Sequence, residues 1–144
     1  MKVGIALLCL VSVAHAAPTQ ILVLSQPSLS RPELARGLAS LRKRLSSLRP
    51  TMRTEEAAEL GPATIALAVA GMPEGRRILI LIGPDRAVDC KPPTGVSIYA
   101  ISVGGRLPHG GCFSSLGAVT HMPLDAEATS RALDEIATEI LRER

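Results

Sequence analysis

Three uninterrupted apolar runs constrain the fold of this chain more than any other feature. Residues 78–82 have the sequence ILILI, residues 19–25 TQILVLS, and residues 96–103 VSIYAISV. A strand exposed on one face alternates apolar and polar residues, and these runs do not, so the strands they predict need cover on both faces. We therefore expect a small three-layer α/β/α, Rossmann-like domain with a mainly parallel sheet of about four strands.

A leucine stripe predicts the first helix. Ser30 can cap its amino end, Glu33 follows three residues later as in a capping box, and Pro50 ends the pattern. Between those limits leucines recur at spacings of four and three residues, at Leu34, Leu38, Leu41, Leu45 and Leu48. Because residues three and four apart share one side of a helix, this stripe should pack on the sheet.

Two further helices are predicted. Residues 62–70, PATIALAVA, are nearly all apolar and small, and they lie between Gly61 and Gly71. Asp125 can cap a final helix, whose apolar residues repeat at helical spacing at Leu133, Ile136, Ala137, Ile140 and Leu141. These helices would supply the cover that the apolar strands need.

The remaining segments have weaker patterns. Residues 118–122 predict a short fourth strand, and residues 112–116 a helical turn before it. Residues 51–60 are polar and acidic, so we expect a helical or loop connection there and no strand. The predicted order of elements is β-α-α-β-β-β-α.

The first 16 residues have the pattern of a secretory signal peptide. Lys2 is followed by an apolar run over residues 5–13 and by Ala14-His15-Ala16, a small-x-small cleavage pattern. The run is too short to span a bilayer, which takes about 20 residues. We expect residues 1–16 to be removed and residues 17–144 to form a single domain that is exported to a periplasm or outside the cell. A buried amino-terminal strand or helix is the alternative.

Removal of the signal peptide changes the charge and the cysteine content. Lys+Arg falls from 16 to 15 against 13 acids, a net charge of +2. Two of the three cysteines remain, Cys90 and Cys112, and in an exported chain they favour a disulfide. The near balance of charge does not predict a polyanion-binding protein.

Several segments, in this order, resemble the von Willebrand factor type A domain. The helix segment LGPATIALA at 60–68 is similar to that family's LGxAL helix, and GRRILILI at 75–82 to its fourth strand. GVSIYAISVG at 95–104 resembles the fifth strand, and residues 119–137 resemble the final strand and helix. The resemblance implies an α/β domain that binds another protein, as an adaptor, without catalysing a reaction.

The chain departs from that family at its divalent-cation site. The family has an Asp-x-Ser-x-Ser loop after the first strand, and here Ser25, Pro27 and Leu29 stand at those positions. Asp85 is displaced by one residue from the family's later carboxylate. A hard cation needs several converging oxygen ligands, so we expect a degenerate site with no metal and no cofactor. A partial site rebuilt from Asp85 with Ser28 or Ser30 is the alternative.

Three loops should meet at the carboxyl edge of a parallel sheet, where ligands bind in such folds. We expect a binding surface there, unless these are simply connecting loops. Its candidate residues are Ser25, Ser28, Ser30, Asp85, Arg86, Arg106 and His109.

Other residues carry alternative functions. Ser25 or Ser28 with His109 could serve a small secreted hydrolase, but no Gly-x-Ser-x-Gly elbow is present. A zinc site using His109 and His121 with the cysteines matches no common spacing. Arg42, Lys43 and Arg44, within the basic segment 31–49, form either a solvated face or the contact surface of an assembly factor. With two aromatic residues in the chain, we expect a protein partner and no nucleic acid.

Overall fold

Residues 17–26, 31–103, 110–121 and 126–143 are described by a computed structural model of this chain. The predicted signal peptide, residues 1–16, lies outside the described residues, as do the predicted caps Ser30 and Asp125. Within the described part of the chain, the strands are β1 (Thr19–Ser25), β2 (Thr51–Glu56), β3 (Arg76–Gly83), β4 (Val96–Ser102) and β5 (Val119–His121). The helices are α1 (Arg31–Arg44), α2 (Pro62–Ala70), α3 (Cys112–Ser115) and α4 (Ala126–Arg142), with a 3₁₀ turn at Ser46–Leu48 after α1.

The described strands form one five-stranded sheet in the order β2-β1-β3-β4-β5. Every neighbouring pair is parallel. The predicted α/β, Rossmann-like class is therefore confirmed, and the strand order is that of flavodoxin-like doubly wound sheets. The chain runs from β1 to β2 on one side of β1, and it then continues to β3 on the other side. The direction in which successive strands are added therefore reverses at β1.

One face of the sheet is covered by α1 and α4. Alternate side chains of β1, β3 and β4, such as Val23, Ile80 and Tyr99, point into this core. They meet Leu41 of α1, Leu45 directly after that helix, and a row from α4, at Ala132, Leu133, Ile136, Ala137 and Ile140. The predicted leucine stripe and the final helix are thus confirmed as core-facing surfaces.

The other face is covered by α2, α3 and the segment between β3 and β4. The strand residues of opposite parity, among them Leu22, Leu79 and Ile98, pack with Ile65 of α2 and Phe113 of α3. Met72, Leu116 and both cysteines complete this core. The two helices here are nine and four residues long, against fourteen and seventeen on the opposite face.

The prediction for residues 51–60 was wrong, and the described sheet has five strands where about four were expected. Thr51–Glu56 is a strand, paired with β1 from Gln20↔Thr51 to Ser25↔Glu56. It lies at the edge of the sheet, and its side chains are exposed except for the partly buried Met52. Because an edge strand is partly solvated, it needs no continuous apolar run, so its sequence, TMRTEE, lacks the pattern that marks a buried strand.

The other strand and helix predictions hold with small shifts at the ends. The helix at Pro62–Ala70 has the predicted bounds, and Cys112–Ser115 is the expected helical turn. None of the helices in the described ranges is long and apolar enough to cross a membrane.

Candidate functional site

The carboxyl ends of β1, β3 and β4 lie side by side. Ser25 pairs in register with Ile82, and Gly83 pairs with Ser102. Ser25 is only 3% exposed, and its carbonyl oxygen accepts a hydrogen bond from the Ala57 amide at 2.9 Å. The serine thus lies within the packed end of the sheet.

Asp85 follows β3 and joins two loops. Its Oδ1 accepts hydrogen bonds from the backbone amides of Arg86 at 2.8 Å and Phe113 at 3.1 Å. Phe113 belongs to the first turn of α3, whose amide groups have no partner within the helix. The carboxylate of Asp85 therefore fastens α3 to the loop that follows β3.

Arg86 is also engaged. Its Nη1 lies 2.9 Å from Glu59 Oε2, and its carbonyl oxygen accepts a hydrogen bond from the Cys112 amide at 2.9 Å. The guanidinium passes close over Gly61, where an added Cβ would lie 2.8 Å from Nη1. A side chain larger than that of glycine at residue 61 would displace this ion pair.

Four predicted binding residues, Ser28, Ser30, Arg106 and His109, lie outside the described residues. Gly110 and Gly111 follow Arg106 and His109 in the sequence. They line a cavity of about 450 Å³ together with Ala87, Val88, Asp89, Ser114 and Ser115. Binding at the carboxyl edge stays a prediction.

The predicted disulfide is present. Cys90 and Cys112 are bonded, with a Cα–Cα distance of 4.8 Å, and both are buried. The bond ties the β3–β4 segment to the start of α3. Neither sulfur is then free to act as a nucleophile or a zinc ligand. Among the residues that the structure describes, no group of three or more His, Cys, Asp or Glu side chains is arranged to hold a metal ion.

The basic residues at the end of α1 differ in their surroundings. The Arg44 guanidinium donates hydrogen bonds to the Asp134 carbonyl oxygen and, at 2.8 Å, to Thr138 Oγ1, so Arg44 joins α1 to α4. Arg42 and Lys43 are exposed. Cations in the last turn also complement the helix dipole, which gives these residues a structural role of their own.

The sequence prediction missed the exposure of α2. This helix has no charged residue, it buries only Ile65, and Leu67 is 75% exposed. An open groove of about 490 Å³ runs along its flank. Residues of α2 line one side of the groove, the β3–β4 segment lines the other, and Leu116 contributes as well: Pro62, Ile65, Ala66, Val69, Ala70, Cys90, Lys91, Pro92, Pro93, Thr94 and Leu116. The signal was available in the sequence, because a nine-residue helix with Thr64 as its one polar side chain has no charged face to turn toward water.

Two polar contacts were also missed, one made by Glu143 directly after α4 and one made by α4 itself. The Tyr99 hydroxyl donates a hydrogen bond to Glu143 Oε2 at 2.8 Å. Burial, the bond to Glu143 and the negative charges of Glu143 and Glu139 raise the pKa of Tyr99. His121 lies between two carboxylates of α4, with Nδ1 3.1 Å from Glu135 and Nε2 3.2 Å from Glu139. Both contacts hold α4 to the β4–β5 side of the sheet.

The class of protein that these observations define is an α/β domain with an all-parallel sheet and a disulfide-bonded second face. No protein-family model and no curated protein matches the chain. Among solved structures, a mutant flavo di-iron protein from Thermotoga maritima is similar, with 11% sequence identity and a TM-score of 0.44. The match covers 90% of this chain and 38% of that one, so this chain spans well under half of its length. A likeness of this degree carries no argument about function.

Proposed function

We propose that this chain is an exported, non-catalytic domain that binds another protein through α2 and the groove beside it. We propose further that it is a shortened von Willebrand A-like domain whose cation site is degenerate. The observation that carries the binding proposal is the exposed, uncharged surface of α2, with Leu67 as its most prominent side chain.

Leaving the apolar surface of α2 in water is costly. Apolar surface removed from water contributes a favourable transfer free energy of about 25 cal/mol per Å², from which the entropy cost of association is subtracted. Contiguous apolar patches on soluble proteins mark interaction sites more often than isolated apolar residues do. Here Ala63, Ala66, Leu67 and Ala70 are exposed along one helix, and the apolar groove continues that surface toward Pro92 and Pro93. A partner that covers α2 would remove both from water.

Two features favour a binding role over a hydrolase. Ser25, one of the two candidate nucleophiles, is buried, and Cys112 is in a disulfide. A nucleophile must reach both its substrate and a general base. The alternative pair, Ser28 with His109, is tested with a panel of ester and peptide substrates. We expect no turnover, and hydrolysis that His109→Ala abolishes would overturn the non-catalytic proposal.

The engagement of Asp85 supports a degenerate cation site, because this carboxylate already accepts two backbone amides. A thermal melt with Mg²⁺, Mn²⁺ or Ca²⁺, repeated with EDTA, is the test. A ligand that binds only the folded state adds about 2.7 kcal/mol at a hundredfold excess over its Kd. We expect superimposable melts, and an upward shift with one ion would mean that a cation site survives.

The disulfide is compatible with export, because such bonds persist in oxidising compartments. Amino-terminal sequencing of the exported product tests the leader, and we expect it to begin at Ala17. A product that keeps residues 1–16 would contradict this part of the proposal.

Binding through α2 is tested in cells with a photoreactive amino acid at residue 67. The matched control places the same group at Ala35, which is exposed on α1. We expect a crosslinked polypeptide from residue 67, lost when Ala70→Glu is added, and none from residue 35. Equal products from both positions, or none from residue 67, would contradict binding through α2.

A further inference from the structure

We propose that the edge of the sheet at which the parallel strands begin is a second binding surface, and that its partner is a lipid bilayer with anionic headgroups. This surface, called the basic edge, consists of seven cations: Arg42, Lys43, Arg44, Arg49, Arg76, Arg77 and Arg142. None of them lines the α2 groove, so the inference does not depend on the binding function proposed for α2.

The parallel topology brings these cations together from separate elements. Parallel strands begin at one edge of a sheet, and here Thr19 of β1 pairs in register with Arg76 of β3. Because α1 leads from the end of β1 back to the start of β2, its last turn, with three of the cations, and Arg49 after it lie toward this edge. The Arg76 guanidinium donates a hydrogen bond to the Ile140 carbonyl oxygen at 2.9 Å, which brings the end of α4 and Arg142 to the same edge.

The charges of the basic edge are not neutralised by acids. Arginines elsewhere pair with glutamates, namely Arg36, Arg53 and Arg86. Within the described part of the chain, no cation of the basic edge forms an ion pair with a carboxylate. Arg76 and Arg77 donate to backbone carbonyl oxygens at 2.9 and 3.1 Å, and Arg44 donates to a carbonyl and a hydroxyl. Such bonds position a guanidinium but leave its positive charge in place.

The nearly balanced net charge of the chain conceals a separation of charge along the strands. Five acids lie at or after the carboxyl ends of the strands: Glu55, Glu56, Glu59, Asp85 and Asp89. Among the described residues near the basic edge, the acids are Glu74 after α2 and Glu143 after α4, and Glu143 accepts the hydrogen bond of Tyr99. The field of such a molecule orients its basic edge toward an anionic surface once the two lie within about 10 Å, the Debye length at moderate salt.

Two features favour a bilayer over other anionic partners. The cations are spread over the ends of several elements, and none of them lines either cavity described above, so they suit a broad surface better than an enclosed ligand. The Pro18 carbonyl oxygen accepts a hydrogen bond from the Arg76 amide at 2.9 Å, so the chain enters the domain at the basic edge. The apolar run at residues 5–13 is therefore joined to the domain at this edge, and an exported chain that still carries its leader would present these cations to the lipid headgroups.

The test is sedimentation of the purified, oxidised mature chain with vesicles of phosphatidylcholine alone and of phosphatidylcholine mixed with phosphatidylglycerol. We expect binding to the anionic vesicles only, and we expect added salt to weaken it. Each basic residue near an anionic bilayer strengthens binding by about fivefold. Reversal of two charges, Arg42→Glu with Lys43→Glu, should therefore lower the partition coefficient by at least about 25-fold. The matched control is Arg36→Glu with Arg131→Glu, which makes the same change of charge at exposed residues in the first halves of α1 and α4 and should retain most of the binding.

A single substitution tests the surface with little risk to the fold. Arg49 has a φ of 48°, in the left-handed region that asparagine tolerates well. We expect Arg49→Asn to lower the partition coefficient by about fivefold. Its melting curve should match that of the wild type, and melting curves also check that both double variants fold.

Several results would overturn the inference. Equal sedimentation with both kinds of vesicle, or with neither, would exclude recognition of anionic headgroups. An equal loss in the two double variants would show that only the net charge of the protein matters and that the basic edge has no special role. Retention on a heparin column without binding to anionic vesicles would mean that the basic edge recognises a polysaccharide instead of a bilayer.

Discussion

The two faces of the sheet are built in different ways. The face under α1 and α4 is covered by two long amphipathic helices, which contact each other and present continuous apolar rows to the strands. The face under α2 and α3 has short helices, a disulfide and a loop fastened by Asp85. The first face combines this apolar burial with polar contacts such as that of Arg44 with Thr138, and it contains no disulfide among the described residues. The second face has shorter helices, which the disulfide and the hydrogen bonds of Asp85 hold in place, and it leaves α2 exposed.

The largest expected effect is a difference in the loss of unfolding free energy when each of two buried isoleucines is replaced by alanine. Ile136 of α4 is fully buried in the first core, and Ile65 of α2 is 3% exposed beside the groove. We expect Ile136→Ala to lower the free energy of unfolding by about 2–5 kcal/mol. Ile65→Ala should cost less, about 2 kcal/mol or below, because an open groove lets neighbouring groups and water relax into the space.

Urea denaturation of both variants measures this difference, with unchanged m values as the control for two-state unfolding. Equal losses at the two positions would mean that the α2 face is packed as closely as the α4 face. The comparison between the faces would then fail.

The disulfide should have the next largest effect. Its sequence separation is 22 residues, and closing such a loop constrains the unfolded chain by about 3 kcal/mol. We expect a reducing agent to lower the unfolding free energy by about that amount and to speed amide exchange in α2 and α3 more than in α4.

The double variant Cys90→Ala, Cys112→Ala is the control for the disulfide experiment, because reductant should not affect it further. Unfolding that is insensitive to reductant in the wild-type chain would show that the second face does not depend on its covalent tie.

Asp85→Ala removes the acceptor that holds the amides of Arg86 and Phe113. We expect a loss of about 1–2 kcal/mol, since an amide left without its acceptor is costly. Asp85→Asn keeps an oxygen at this place and should retain most of the stability. If Asp85→Ala unfolds at the same urea concentration as wild type, Asp85 has no structural role, and the predicted binding role at the carboxyl edge becomes the better explanation.

The smallest effect concerns Tyr99, in the first core. Tyr99→Phe removes the hydrogen bond to Glu143 and should cost about 1 kcal/mol at neutral pH. The folded state raises the pKa of Tyr99 above the unfolded value of about 10, so the contribution of this tyrosine is complete below about pH 10 and declines as the pH rises further.

Measured against pH, the unfolding free energies of wild type and Tyr99→Phe should therefore converge above about pH 10. A wild-type advantage that increases with alkaline pH would contradict the assigned direction of the shift. His121→Gln, which alters the other contact of α4, serves as the comparison variant, because its effect should not follow this alkaline profile.

Much of the fold was predictable because it depends on local pattern. The run at residues 78–82 predicted a buried strand, and the leucine stripe from Leu34 to Leu48 predicted a core-facing helix. The disulfide followed from two cysteines and a predicted oxidising compartment. β2 was missed because an edge strand such as TMRTEE is partly solvated and lacks an apolar signature.

The candidate site was less predictable, because its contacts join residues far apart in the sequence. Asp85 and Arg86 were singled out by their place after β3, but their partners Phe113 and Glu59 could not be inferred from spacing. The groove beside α2 was missed for the same reason. Its far wall is formed by Pro92 and Pro93, whose distance from the helix depends on how the β3–β4 segment crosses the sheet.

The sequence by itself determined the helices and the strands other than β2, because those preferences arise from neighbouring residues and from the period of the apolar pattern. It also determined that α2 would have no charged residue. Only the tertiary structure decided that β2 takes the edge of the sheet, that Asp85 holds α3, and that α2 keeps an exposed apolar surface. Exposure depends on what packs against an element from elsewhere in the chain, and no local pattern contains that information.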